Sequence, residues 1–314
     1  MGAGVSDGVT DLGLWGVPLA MLAGAIRVST PFLFVSLGEC LTERSGRINL
    51  GLEGTLVFGA MAGYAIAYET GSPWLGVLAA ALSGAVFGLA HGVMCALPRV
   101  NDIAIGIALM LLGTGLAFFF GKPYVQPVAP DLPSIPFGWW SDIAQVRAAL
   151  DVNALFLIGL ALALGMAWMF RATRAGLIVR VVGDGAEAAR ALGVDPLRVR
   201  ALSTAAGGAL AGVGGAYLSL YYPGSWNEGI SSGQGLMAVA LVIFARWRPV
   251  NCFWAALLFG GAGALGPALQ SVGVTGGYHL FNAAPYVLTL GLLIAASSPS
   301  RALAGAPAAL GFNR

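Results

Sequence analysis

Glu53 is the residue whose type and position offer the most chemistry in this chain. It lies in Asn49-Leu-Gly-Leu-Glu-Gly54, about one and a half turns into an apolar stretch. Burying an ionisable group there costs about 2.5–3.5 kcal/mol on insertion scales, so a carboxylate kept in such a place has a use. Helical spacing puts Asn49 and Glu53 at i and i+4, on one face. Gly51 and Gly54 loosen that helix and free backbone groups for a ligand or a gate. The other use open to Glu53 is a structural hydrogen bond between helices. A second polar stretch, Pro223-Gly-Ser-Trp-Asn-Glu-Gly-Ile-Ser-Ser-Gly-Gln-Gly235, leads into a short apolar segment and suits either a pathway lining or a plain loop. The candidate pathway residues are thus Asn49, Glu53, Trp226, Asn227 and Gln234, with Asn101, which also suits a helix N-cap beside Asp102.

Other chemistries fail on spacing. Gly261-Ala-Gly-Ala-Leu-Gly266 fits G-x-G-x-x-G but sits inside an apolar span and follows no strand. Gly115 to Lys122 mimics a phosphate-binding loop with the wrong glycine spacing, and Pro123 stands where a magnesium-binding hydroxyl is needed. Cys40, Cys95 and Cys252 lie far apart in apolar surroundings and read as small core residues. His91 is alone on an apolar helix and His279 has no partner spacing, so no metal site is expected. Glu39 and Glu43 fall beside Arg44 and Arg47 and predict a local ion-pair cluster. Arg27, within the first apolar span, either pairs with a carboxylate or snorkels.

The elements that must hold these residues are membrane spans. The chain is 58% hydrophobic and 10% charged, against about 25% charged in soluble domains, so its solvent is lipid. The formal charge of +2 is scattered and forms no patch for nucleic acid. Asp7 and Asp11 precede the first apolar stretch, and no basic region of a cleavable signal peptide is expected. Nine apolar segments are predicted: Val17 to Cys40, Ile48 to Tyr68, Trp74 to Leu97, Ile103 to Phe120, Val152 to Phe170, Ala201 to Tyr222, Leu236 to Ala245, Val250 to Leu269 and Ala283 to Ala296. The seventh and ninth are short and predict re-entrant or broken helices, or helices extended by the polar residues beside them. With the N-terminus outside, 13 arginines fall on one side and only Lys122 and Arg147 on the other. The expectation is an all-α polytopic transmembrane helix bundle of about nine spans, N-out and C-in.

Two loops are long. Residues 121–151 fall outside and carry the Trp139-Trp140 pair, an interfacial anchor. Residues 171–200 fall inside and hold a short predicted helix between Gly185 and Gly193. Gly59/Gly63, Gly84/Gly88/Gly92 and Gly208/Gly212 follow small-xxx-small spacing and predict close helix packing, within the chain first and between subunits second.

These residues also carry a resemblance. Glu39 followed by Thr42-Glu-Arg-Ser-Gly-Arg-Ile-Asn-Leu-Gly-Leu-Glu-Gly54 resembles the E-R-S-G-x-x-N-x-G-x-E-G signature of ABC importer permeases for nucleosides and simple sugars, relatives of the ribose and branched-chain amino acid permeases. Gly183 to Arg200, Ala211 to Ala216, Gly235 to Pro249, Pro285 to Thr289 and Ala306 to Gly311 resemble that family's later motifs in order. Ala245 and Cys40 depart from its pattern. The resemblance implies one permease domain over residues 1–314 in the bacterial cytoplasmic (inner) membrane, with residues 171–200 as the cytoplasmic coupling loop. Ala186, Glu187, Ala188, Ala189, Arg190, Ala191 and Leu192 would form its coupling helix. It implies no cofactor in this chain, with ATP and Mg on a partner ABC ATPase. A second, similar permease and an external solute-binding protein complete the partners, alongside membrane lipid and without nucleic acid. Nucleosides are the first expected solute and pentose-like sugars the second. An ion-coupled secondary transporter using Glu53 is the rival; an intramembrane enzyme lacks catalytic spacing, and a channel has no use for a docking helix.

Overall fold

The computed structural model describes residues 16–270, 283–296 and 305–311. His279, Arg301 and Arg314 lie outside the described residues. Each of the nine apolar segments is a helix: α1 (Gly16–Arg44), α2 (Leu52–Thr70), α3 (Pro73–Met94), α4 (Asp102–Gly121), and, after α5 (Ala144–Ala149), α6 (Ala154–Ala172). Then come α7 (Arg174–Asp184), α8 (Ala186–Ala191), α9 (Pro196–Leu220), α10 (Gln234–Phe244), α11 (Pro249–Gln270) and α12 (Ala284–Ala296). Six of the described helices, within α1, α3, α4, α6, α9 and α11, are long and apolar enough to cross a membrane. Helix α2 has 19 residues but includes Glu53 and Glu69.

Local chemistry sets the helix ends. Asn101 caps α4 by accepting from the Ile103 and Ala104 amides, at 2.8 and 3.3 Å. Asn153 caps α6 and Asp195 caps α9, with Pro196 at the first helical position. Thr173 ends α6 and caps α7, an 11-residue helix absent from the sequence expectation. Helix α2 starts at Leu52 rather than Ile48, because the Asn49 side chain accepts from the Gly51 amide at 2.9 Å and holds that stretch as a turn. Asn49 and Glu53 therefore do not share a helix face, contrary to expectation.

Helix α9 is the centre of the bundle, packed on α3, α2 and α1, while α1 also packs along α11. Its glycines explain the closeness. A methyl added at Gly59 of α2 would lie 2.7 Å from the Gly212 Cα, and one at Gly84 of α3 would meet the Gly208 carbonyl. The small-residue pairs thus serve packing within the chain, where lipid offers no hydrophobic force and van der Waals contact must hold helices together. The 121–151 loop is not wholly helical or irregular: β1 (Ser134–Pro136) pairs antiparallel with β2 (Asp151–Asn153). Trp139 and Trp140 stand exposed on it. Arg27 pairs with Asp151 at 3.8 Å, which resolves its use in favour of a carboxylate partner.

Candidate functional site

The polar stretch after α9 enters the bundle from one end and stops at Glu53. At its start, the buried Trp226 donates from Nε1 to the carbonyl of Gly121, the last residue of α4, at 3.0 Å. Five residues on, the Ser231 hydroxyl donates to Glu53 Oε1 at 2.6 Å. The Gly233 amide donates to the same oxygen at 3.1 Å, and the Gly235 amide to Oε2 at 2.6 Å. Glu53 is level with the middle of α4, since a methyl on neighbouring Gly54 would lie 2.6 Å from the Met110 Cα. From Gly121 to Met110 is on the order of 16 Å of helix, so the irregular chain descends about half the length of α4. Helix α10 then begins, and its 11 residues suit the other half. The seventh apolar segment is thus a short helix that begins at the polar Gln234 and is preceded by irregular chain.

The break is built around one carboxylate. The first amides of α10 have no helical acceptor and carry about half a unit of positive charge. Glu53 supplies the negative charge and takes three hydrogen bonds there. Gly235 admits this approach, because a methyl on it would lie 2.6 Å from the Glu53 Cα. Beside it, Gln234 Oε1 is buried without a hydrogen-bond partner among the described residues. The Tyr286 hydroxyl of α12 donates to the Ser232 carbonyl at 3.3 Å and closes one side. Of the pathway candidates, the structure brings together Glu53 and Gln234, with Trp226 and Asn227 upstream on the same stretch. Asn227 turns its own loop by accepting from the Gly229 amide. Asn49 is spent on the turn before α2, and Asn101 on the cap of α4. Ser231 and Tyr286 were missed. The serine lay in the quoted polar stretch and the tyrosine in the Pro285 to Thr289 motif, but neither was singled out.

The connection from α1 to α2 ties Glu53 to the arginine-rich end. Glu39, fully buried, accepts from the Asn49 amide at 2.8 Å. Arg47 pairs with Asp102 at 2.6 Å and donates to the Cys95 carbonyl at 2.5 Å, fixing the α3–α4 turn. Arg200 of α9 donates to the Ser45 carbonyl at 3.1 Å and to the Val182 carbonyl of α7 at 3.4 Å. Gly183 lies flush against the Arg44 carbonyl. The expected ion-pair cluster does not form. Helix α1 runs on to Arg44, which turns Glu39 and Glu43 inward; Glu43 accepts from Trp247 Nε1, and Arg44 donates to the Trp247 carbonyl at 2.9 Å. The predicted coupling residues form α8, with Leu192 as its cap rather than its last turn. Ala189 packs inward, while Glu187, Ala188, Arg190, Ala191 and Leu192 face out. All three cysteines are buried.

Comparison with known proteins agrees with this architecture. Residues 17–297 match the family described as branched-chain amino acid transport system / permease component. A putative glucose ABC transporter permease of Haloferax volcanii is 34% identical over 80% of this chain and 78% of its own length. A nucleoside ABC transporter permease of Lactococcus lactis is 30% identical over 86% and 90%. A guanosine ABC transporter permease of Bacillus subtilis is 29% identical over 83% and 87%. Such permeases hydrolyse no ATP themselves, which accords with the failed nucleotide motifs. A family match over nearly the whole described bundle, together with six helices able to cross a membrane, makes this chain a member of the ABC importer permeases: a multi-pass subunit of the bacterial cytoplasmic membrane that moves solute while a separate subunit hydrolyses ATP.

Proposed function

We propose that the chain translocates a nucleoside past the break before α10, in a nine-crossing, N-out and C-in arrangement. The observation that carries this reading is the carboxylate-capped break itself, with the unsatisfied Gln234 Oε1 beside it. A nucleoside offers N–H and O–H donors to Gln234 and Glu53, and a flat face to the Tyr286 ring. Names of two similar permeases, for nucleosides and for guanosine, support that solute class. The permease named for glucose supports simple sugars as the second reading. The arginine asymmetry supports the orientation.

The mechanism follows the polar links. An external binding protein delivers solute to the loops at the Trp226 end. Closure of the partner ATPase pushes on the exposed face of α8. That push passes through α7 and Arg200 to the Ser45 carbonyl, then along residues 45–51 to Glu53. There it alters how the carboxylate holds α10, and the pathway changes the side it opens to. A second, similar permease forms the other wall.

The test is uptake of labelled guanosine into inside-out-excluded, right-side vesicles carrying the full complex. Uptake is expected to need ATP and to fall with excess uridine but not glucose. Competition by glucose alone would replace the nucleoside reading with the sugar one. Uptake driven by an ion gradient without ATP would remove both.

A further inference from the structure

Far from the break, the arginine-rich end of the bundle holds a cavity of about 460 Å³ that the transport mechanism does not use. Arg44, Arg171, Arg180 and Arg248 line it, with Phe170 as part of its floor. No carboxylate is among the lining residues. Arg180 Nε is buried without a hydrogen-bond partner among the described residues. Arg44 is steadied by the Phe170 ring, 5.9 Å away, and by the Trp247 carbonyl, and it is attracted by Asp184 while Arg180 and Arg248 repel it. The first turn of α11, Pro249 to Asn251, also faces the cavity and adds the positive end of a helix. Four guanidinium groups around one space, two of them partly withdrawn from solvent, favour an anion there.

The surroundings identify the source of that anion. The cavity sits where α1 and α6 end and α11 begins, which is headgroup depth for spanning helices. Next to it α6 and α11 expose Leu164, Trp168, Trp254 and Leu258, each between 46% and 66%. Exposed tryptophans at helix ends mark the membrane interface, and the leucines continue the face toward the hydrocarbon. We infer that this cavity binds the phosphate of an anionic phospholipid, whose chains lie along the α6–α11 face. Guanidinium groups suit that phosphate through paired hydrogen bonds.

The complex, purified in detergent and stripped of lipid, is titrated with phosphatidylglycerol or phosphatidylcholine, and bound lipid is read by native mass spectrometry. The wild type is expected to hold phosphatidylglycerol about tenfold more tightly. Arg180→Gln with Arg248→Gln is expected to abolish that preference while leaving phosphatidylcholine binding unchanged, which also reports an intact fold. The exposed Arg171→Gln is expected to weaken it in part. Equal retention of the two lipids, or a preference that survives the double substitution, overturns the proposal. Displacement by inorganic phosphate at equal affinity assigns the cavity to a free anion and overturns the lipid source. Loss of the ATPase from the variants with lipid preference intact assigns it to a protein carboxylate instead.

Discussion

Helices α9 and α10 solve the same problem, holding an element inside lipid, in opposite ways. Helix α9 is held by shape: its glycines lie against the backbones of α1, α2 and α3, and 61% of its apolar window is buried. Helix α10 is half as long and is positioned at its start by hydrogen bonds to a single carboxylate. Backbone-to-backbone packing has no second arrangement of similar energy, because a shift of one residue brings larger side chains into contact. A few polar bonds at a helix start can be exchanged for bonds to solute or water at small cost. On the transport mechanism proposed above, the difference separates a frame from a moving part.

The largest effect is expected on the frame. Gly208→Leu puts a branched side chain where even a methyl would meet the Gly84 carbonyl. Overpacking costs about 1–3 kcal/mol where side chains can move, and here the neighbour is backbone. The expected result is loss of monodisperse protein on gel filtration after detergent extraction. A well-folded, transporting Gly208→Leu protein would show that α9 is not a fixed frame.

A smaller loss, confined to transport, is expected at the moving part. Glu53→Gln keeps size but removes the charge and turns an amide N–H toward the Gly233 or Gly235 amide. Losing charge-assisted bonds of about 1.5–3 kcal/mol predicts uptake reduced roughly thirtyfold at normal expression. Unchanged uptake would make Glu53 a structural bond of no consequence to the pathway.

How each region reads from sequence follows from the same contrast. The glycine pairs of α3 and α9 announce close packing through spacing alone, because periodicity is local. Glu53 was visible as a charge in an apolar run, and α10 as too short to span. Their partnership was not, since Ser231 and Glu53 are 178 residues apart and nothing in either segment encodes the other. The Asn49 turn was misread as helix because apolar flanks hid a short asparagine–amide bond. Helix α7 was missed because charge at Arg174, Arg180 and Asp184 looked like loop, although Thr173 supplied a cap. The ion-pair expectation for Glu39 and Glu43 failed because sequence neighbours one helical turn apart can both point inward.

Between frame and moving part stands α8, whose Glu187 and Arg190 side chains are exposed. Alanine at both is expected to lower uptake about tenfold while insertion and the ATPase rate persist, as for truncation at an interface. Normal coupled uptake would remove α8 from the relay.

The finest test compares Ser231→Ala with Glu53→Gln. The hydroxyl contributes one of three donors to the carboxylate, and the two amides remain after its removal. About 1 kcal/mol is at stake, or roughly a fivefold loss of uptake. Because Ser231 acts through Glu53, the double substitution is expected to be no worse than Glu53→Gln alone, a non-additivity that independent sites do not show. Full additivity would mean that Ser231 meets the solute directly. The break would then be a binding surface of several residues, and Glu53 only the part of it that shapes the helix start.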